Sequence, residues 1–277
     1  TPIGMPSLNL KLALAFLDLV IIGFCPVIAA NSFAAASIFL LGLLFFIFAE
    51  EVYNNFLLAH IQPNFITYQL FCDFFNIFNV DRDFCNISFA NNKLQSIEVT
   101  SQLMNSIWTS FILGIIVSFP YILWEFWRFI IPGLHENEVK KSKGFIFVAS
   151  ILFFIGVAFS FYVIAPISIN FLYNYQITDT IENNFTLESH IGLVTNMLLG
   201  ISILFELPVI IYFLAKAGLI TPEFLKKYRR HALCLVLILA AIITPPDVAS
   251  QIIVAIPVLF LYEISIKVAA LVIKREK

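Results

Sequence analysis

Residues 119–138 read FPYILWEFWRFIIPGLHENE. An apolar, aromatic run holding Pro120 carries Glu125 and Arg128, breaks at Pro132–Gly133 and ends on Glu136 and Glu138. The first half has the apolar character of a membrane helix, and Pro-Gly is a strong stop signal. Acids and aromatics are therefore gathered where a span leaves the bilayer. The rest of the chain agrees with that setting. Of 277 residues, 60% are hydrophobic and only 12% charged, too little polar material to cover a soluble domain of this size. A net charge of −2 offers no electrostatic footprint for nucleic acid.

Working outward, apolar segments at 33–49, 104–127, 144–167 and 191–215 each predict a membrane helix. The stretch 231–266 is interrupted by Thr244-Pro245-Pro246-Asp247 and predicts two shorter helices, 231–243 and 248–266. The expected fold is an all-α integral membrane protein, a six-helix transmembrane bundle with a concave face, short last two helices and an outer-loop lid. It forms a single membrane domain over 1–277, with an atypical N-terminal segment 1–32 and an outer loop 50–103. The apolar segment 8–30 has three open readings: an extra span, an in-plane helix, or a signal-peptide-like stretch ending near Ala29–Ala30.

Basic residues orient the bundle. Thirteen of the sixteen lie in 128–143, in 216–230 and at 267–277, whereas the opposite connections hold only Arg82 and Lys93. By the positive-inside rule the three basic regions and the C-terminus are cytoplasmic. The outer loop contains NFITYQLFCDFFNIF at 64–78, which reads either as an interfacial lid or as an ordinary packed loop helix. Cys72 and Cys85 lie in that loop and form a candidate structural disulfide if it faces an oxidising compartment. Cys25 and Cys234 sit in apolar runs and read as packing residues.

Enzymatic signatures are absent: there is no HExxH, GxSxG, Walker loop or Gly-rich dinucleotide turn. His60, His135, His190 and His231 are scattered without metal-ligand spacing, so neither a metal nor a cofactor is expected. Two acids stand out instead. Glu206, in LFELPVI, is an ionisable group inside a span, followed by Pro208, which frees backbone groups nearby. It reads either as a polar contact for another helix or a water-lined concavity, or as a protonated carboxyl bonded within the bundle. Glu138 reads either as a receptor for guanidinium or ammonium groups at the membrane surface, or as the i,i+3 partner of Lys141.

Four motifs, in order, carry a resemblance. The opening stretch, LFELPV at 204–209, GLITPEFLKKYRRHA at 218–232 and ITPPDVASQIIVAIPVLFLYEISI at 243–266 resemble corresponding segments of the TatC family, the multi-spanning receptor subunit of the twin-arginine protein translocase. The resemblance runs over about 105–270 of this chain. It implies a receptor that binds twin-arginine signal peptides of folded cargo and nucleates assembly with single-span TatA/TatB-type subunits. Export is then driven by the proton-motive force, in a homo-oligomeric complex within the lipid bilayer of the bacterial inner membrane. It places Glu138 in the signal-peptide site, with Phe129, Pro132 and Leu134 shaping that surface. Glu206, with Pro208, becomes an intramembrane partner contact. Thr244, Pro245, Pro246, Asp247 and Gln251 become the outer turn and a further partner contact.

One departure concerns the start of the chain. The family's N-terminal segment carries a Glu-Leu-Arg-type motif that supplies a second acid, and residues 1–32 hold only Asp18, among Leu, Val and Ile. A competing reading of the residues, from a different functional class, is a proton-coupled small-solute transporter using Glu206.

Overall fold

The computed structural model describes residues 32–62, 65–70, 94–130, 136–175, 178, 184–216, 220–244 and 248–276. Ten α-helices can be followed among them. They are α1 (Ser32–Ile47), α2 (Ala49–Val52), α3 (Ser101–Ile130), α4 (Glu136–Phe159), α5 (Ala165–Asn174), α6 (Leu187–Phe205), α7 (Leu207–Lys216), α8 (Pro222–Lys227), α9 (Arg229–Ile243) and α10 (Val248–Glu276). A π-helical turn, Tyr53–Leu57, and a 3₁₀ turn, Ala59–Ile61, follow α2, and a second π turn, Ser160–Ile164, joins α4 to α5. The described residues contain no strand beyond one isolated bridge between Gln95 and Thr186.

Among the described residues four segments are long and apolar enough to cross a bilayer: Ser101–Arg128, Ile146–Asn174, Leu187–Ala215 and Ser250–Leu271. A fifth arises if Ala35–Ile47 and Ala49–Leu70, bent by 81°, count as one. Each predicted span is present as helix. Two are short, however: α1 has 16 residues and α9 has 15, or about 22–24 Å each. The last helix corrects the expectation of two short ones: α10 runs for 29 residues. Nothing between Pro257 and Lys277 breaks a helix, so it continues past its apolar stretch into the basic tail. Helix α3 begins at Ser101, three positions before the predicted start at 104.

Local chemistry explains the boundaries. Thr186 caps α6 by accepting from the Ser189 N–H at 3.2 Å, and Thr221 does the same for Phe224 of α8, with Pro222 in the first turn. The α1–α3 crossing depends on having no side chain at one position. A Cβ on Gly114 would lie 2.8 Å from the Ile38 carbonyl oxygen and 3.0 Å from the Gly42 nitrogen. Small residues let backbones approach this closely, which is how helices gain contact where lipid supplies no hydrophobic drive.

The main core gathers Ile112, Leu113 and Ile116 of α3, Phe153 of α4, Val194, Leu198 and Ile201 of α6, and Val254 and Val258 of α10. A smaller cluster at the basic end joins α7, α8 and α10 through Ile211, Leu225 and Ile266. There the Tyr262 hydroxyl donates to the Leu225 carbonyl at 2.9 Å, and Arg229 pairs with Glu263 at 2.8 Å. That pair is half-exposed and contributes little to stability.

At the opposite end, the loop after α1 closes over a helix break. Pro166 has no N–H, so neither register of the π turn can satisfy both the Phe161 and Tyr162 carbonyls. The loop supplies what is missing. The His60 Nε2–H donates to the Phe161 oxygen at 2.9 Å, and the Thr67 hydroxyl donates to the Tyr162 oxygen at 2.6 Å. The Tyr68 hydroxyl bridges the carbonyls of His60 (2.9 Å) and Pro166 (3.2 Å). From α6, the His190 Nε2–H donates to the Leu57 carbonyl at 3.2 Å while its Nδ1 accepts from the Tyr173 hydroxyl at 3.2 Å. Ring packing of Phe56, His60 and Phe65 around Phe161 fills the remaining space. Residues 64–78 were read as a lid or a packed loop helix. Within the described part, Phe65, Thr67 and Tyr68 pack onto the bundle, whereas Ile66 and Leu70 are exposed.

Candidate functional site

Residues 119–130 form the last three turns of α3, and Glu136 to Glu138 open α4. The aromatics of α3 divide by face: Trp127 is buried and meets Phe213 of α7 at 4.9 Å between ring centroids, whereas Trp124 is 47% exposed. Glu125 points inward and is 4% exposed; it accepts from the Tyr121 hydroxyl at 3.2 Å and lies 4.0 Å from Arg128. Phe129 occupies the final turn of α3, and Glu138 is the third residue of α4. Their side chains, and Pro132 and Leu134 altogether, lie outside the described residues, as does the side chain of Lys141.

Glu206 occupies the break between α6 and α7. Pro208 cannot donate to Leu204, and the chain responds by tightening. The Glu206 N–H bonds back to Ile203 and Leu204, and the Glu206 carbonyl accepts from Val209 and Ile210 at 3.0 Å each. The backbone is thereby satisfied, but the side chain is not. Glu206 is 6% exposed, and neither carboxyl oxygen has a hydrogen-bond partner among the described residues. Of the two readings of this acid, bonding within the bundle finds no partner here. A buried, unpaired carboxyl is costly to keep, and a polar group from outside the chain would offset that cost.

At the far ends of α9 and α10, Thr244 is buried, and both its N–H and its hydroxyl donate to the Ala240 carbonyl, at 2.8 and 2.9 Å. Gln251 donates through Nε2 to the Leu237 carbonyl at 3.0 Å and so ties α10 to α9. Pro245, Pro246 and Asp247, and likewise Cys72 and Cys85, lie outside the described residues. Cys234 departs from expectation: it is exposed on α9, not packed. Among the described residues no group of three or more His, Cys, Asp or Glu is arranged to hold a metal.

Sequence reasoning missed one association, that of His60 with His190. Their separation of 130 positions gave no spacing signal. The available clue was Pro166 within an apolar helix, whose freed carbonyls had to find donors elsewhere.

Comparison with known proteins extends the resemblance beyond 105–270. The family profile described as TatC, Sec-independent protein translocase protein (TatC), matches residues 29–257. The Sec-independent protein translocase protein TatC of Blattabacterium sp. subsp. Periplaneta americana (strain BPLAN) is 39% identical over 225 residues, covering 81% of this chain and 85% of that protein. Its namesake from Helicobacter pylori (strain ATCC 700392 / 26695) is 45% identical over 170 residues, 61% of this chain and 67% of that protein. The crystal structure of the twin arginine translocase receptor TatC superposes with a TM-score of 0.65 at 28% identity, covering 87% of this chain and 95% of that one. The same receptor in DDM superposes with a TM-score of 0.66 at 27% identity. With the motifs, the helix order and these matches in agreement, the chain belongs to the TatC family of Sec-independent protein translocase proteins, multi-pass membrane subunits of the twin-arginine pathway that are not enzymes.

Proposed function

We propose that this chain is the receptor and core subunit of its translocase. It binds twin-arginine signal peptides of folded cargo where α3 gives way to α4, and it recruits single-span TatA/TatB-type subunits through Glu206. The observation that carries this reading is the buried carboxyl of Glu206, held at a proline-induced break with no hydrogen-bond partner among the described residues. A partner helix bringing one polar side chain to that depth gains a hydrogen bond in hydrocarbon, where the alternative is an unsatisfied group. Pro208 maintains the break, and Thr244 to Asp247 with Gln251 offer a further partner contact.

At the other site, Glu138 accepts a guanidinium through paired hydrogen bonds. Phe129, Pro132 and Leu134 hold the peptide backbone beside it. The basic tail and the basic loops face the cytoplasm of a bacterial cell, so the receptor surface opens where precursors are made. The proton-motive force supplies the drive, and several copies act together in the complex.

The test is binding of a signal peptide carrying Arg-Arg against the same peptide with Lys-Lys, on the full chain in nanodiscs. Lysine keeps the charge and loses the planar fork. A preference of about tenfold or more for Arg-Arg, lost in Glu138→Gln, is expected. Equal binding of both peptides, or an unchanged preference in Glu138→Gln, sinks the assigned site.

A further inference from the structure

The two histidines of the capped end have no part in the receptor reading, yet both are buried and both hold the loop. His60 is fully buried and uses Nε2 on Phe161, while its Nδ1 has no partner among the described residues. His190 is 4% exposed and in one tautomer spends both nitrogens, on Leu57 and Tyr173. Among the described residues the groups facing the pair are Tyr68 and the Leu57 carbonyl on the loop, the Phe161 carbonyl of the π turn, Tyr173 of α5, and the other ring. Among the described residues no carboxylate acts on His60. A proton added to Nδ1 of His60 therefore becomes a buried charge with no counter-ion among these groups. The segments 57–61 and 65–68 are the loop side of every hydrogen bond described, so lifting them into water is the route that relieves such a charge.

We propose that His60 and His190 make the docking of residues 57–61 and 65–68 proton-sensitive, so that acidification of the compartment facing this end releases the loop from the Pro166 break. Burial also holds the His60 imidazole below its ordinary range, so the neutral, docked form persists until the medium is acidic. Stability from this ring is complete above about pH 6.5 and declines as pH falls below it, because the released state binds the proton more readily. Under the proposed orientation the compartment is the one outside the cytoplasm, where translocation protons accumulate. The release itself does not depend on that orientation or on signal-peptide binding, so it can fail without the receptor reading failing.

Hydrogen exchange on the full chain in nanodiscs, at about pH 7.5 and about pH 5 and corrected for intrinsic rates, reads the docking directly. Amides of 57–61 and 65–70 in the native chain are expected to lose about tenfold or more in protection at the lower pH, while those of 194–204 do not change. The double variant His60→Gln, His190→Gln keeps the Nε2 donors and cannot titrate, so its protection is expected to be the same at both values. Unchanged protection in the native chain, or an equal loss in the double variant, overturns the proposal. Should the double variant not fold, Thr67→Val weakens docking without touching either ring. It is expected to move the release to higher pH, and an unmoved midpoint also overturns the proposal.

Discussion

Two prolines interrupt two spans of this protein, and the chain treats the results in opposite ways. At Pro166 the freed carbonyls of Phe161 and Tyr162 are met by His60 and Thr67, which arrive from a loop about a hundred positions earlier. At Pro208 the backbone repairs itself by a local tightening, and the carboxyl of Glu206 beside it is left with no partner among the described residues. The first break is closed by the chain's own atoms and is structural. The second is buried yet incomplete among the described residues, and the proposed partner contact rests on that feature. A proline in a membrane helix thus says only that groups are freed. What they meet tells structure from function.

That contrast can be broken most severely at the filled site. Replacing His60 with Leu and Thr67 with Val leaves two buried carbonyls without donors, at about 1–3 kcal/mol each. Thermal unfolding of the detergent-solubilised chain is expected to show a loss of about 2–6 kcal/mol. A loss below about 1 kcal/mol would mean that water or a register shift serves the carbonyls equally well. Next in size is Gly114→Leu, whose side chain would begin 2.8 Å from the Ile38 carbonyl oxygen. Overpacking of a backbone-to-backbone contact is expected to cost about 1–3 kcal/mol in the same assay, with Gly114→Ala costing less. Equal stability of the Leu variant would show that α1 can move away from α3 freely.

Gln251→Leu removes one hydrogen bond between α10 and α9 and is expected to cost about 1 kcal/mol. A much larger loss would make this contact central to the α9–α10 turn. The smallest effect on stability sharpens the comparison most. Glu206→Leu removes no bond within the described chain, so the isolated protein is expected to be within about 1 kcal/mol of its parent, or slightly more stable. Transport of a twin-arginine cargo by membranes carrying that variant is expected to fall sharply. Full transport would remove Glu206 from the partner site, and strong destabilisation would show that the carboxyl serves the fold after all.

How much was legible beforehand depended on whether the signal was local. Hydropathy located each apolar helix that the described residues contain because each is a continuous apolar run, and the dispersal of lysine and arginine predicts an orientation without any contact being known. The exception, the length of α10, arose because apolarity marks where a helix meets lipid and not where it stops; termination needs a breaker, and none stands between Pro257 and Lys277. Cys234 was misread for a related reason, since an apolar neighbourhood in a membrane protein faces lipid as readily as core.

What the sequence by itself determined was the class of protein, the order of its apolar runs, and the isolated acid at Glu206 with Pro208 beside it. All of these are properties of residue type and short-range spacing. Only the tertiary structure decided which break was filled. His60 and Thr67 reach Pro166's carbonyls, and His190 reaches Leu57, across separations that no periodicity records. The physical reason is that a freed backbone group must be satisfied but carries no information about its partner. The donor is chosen by packing, which exists only once the helices have assembled.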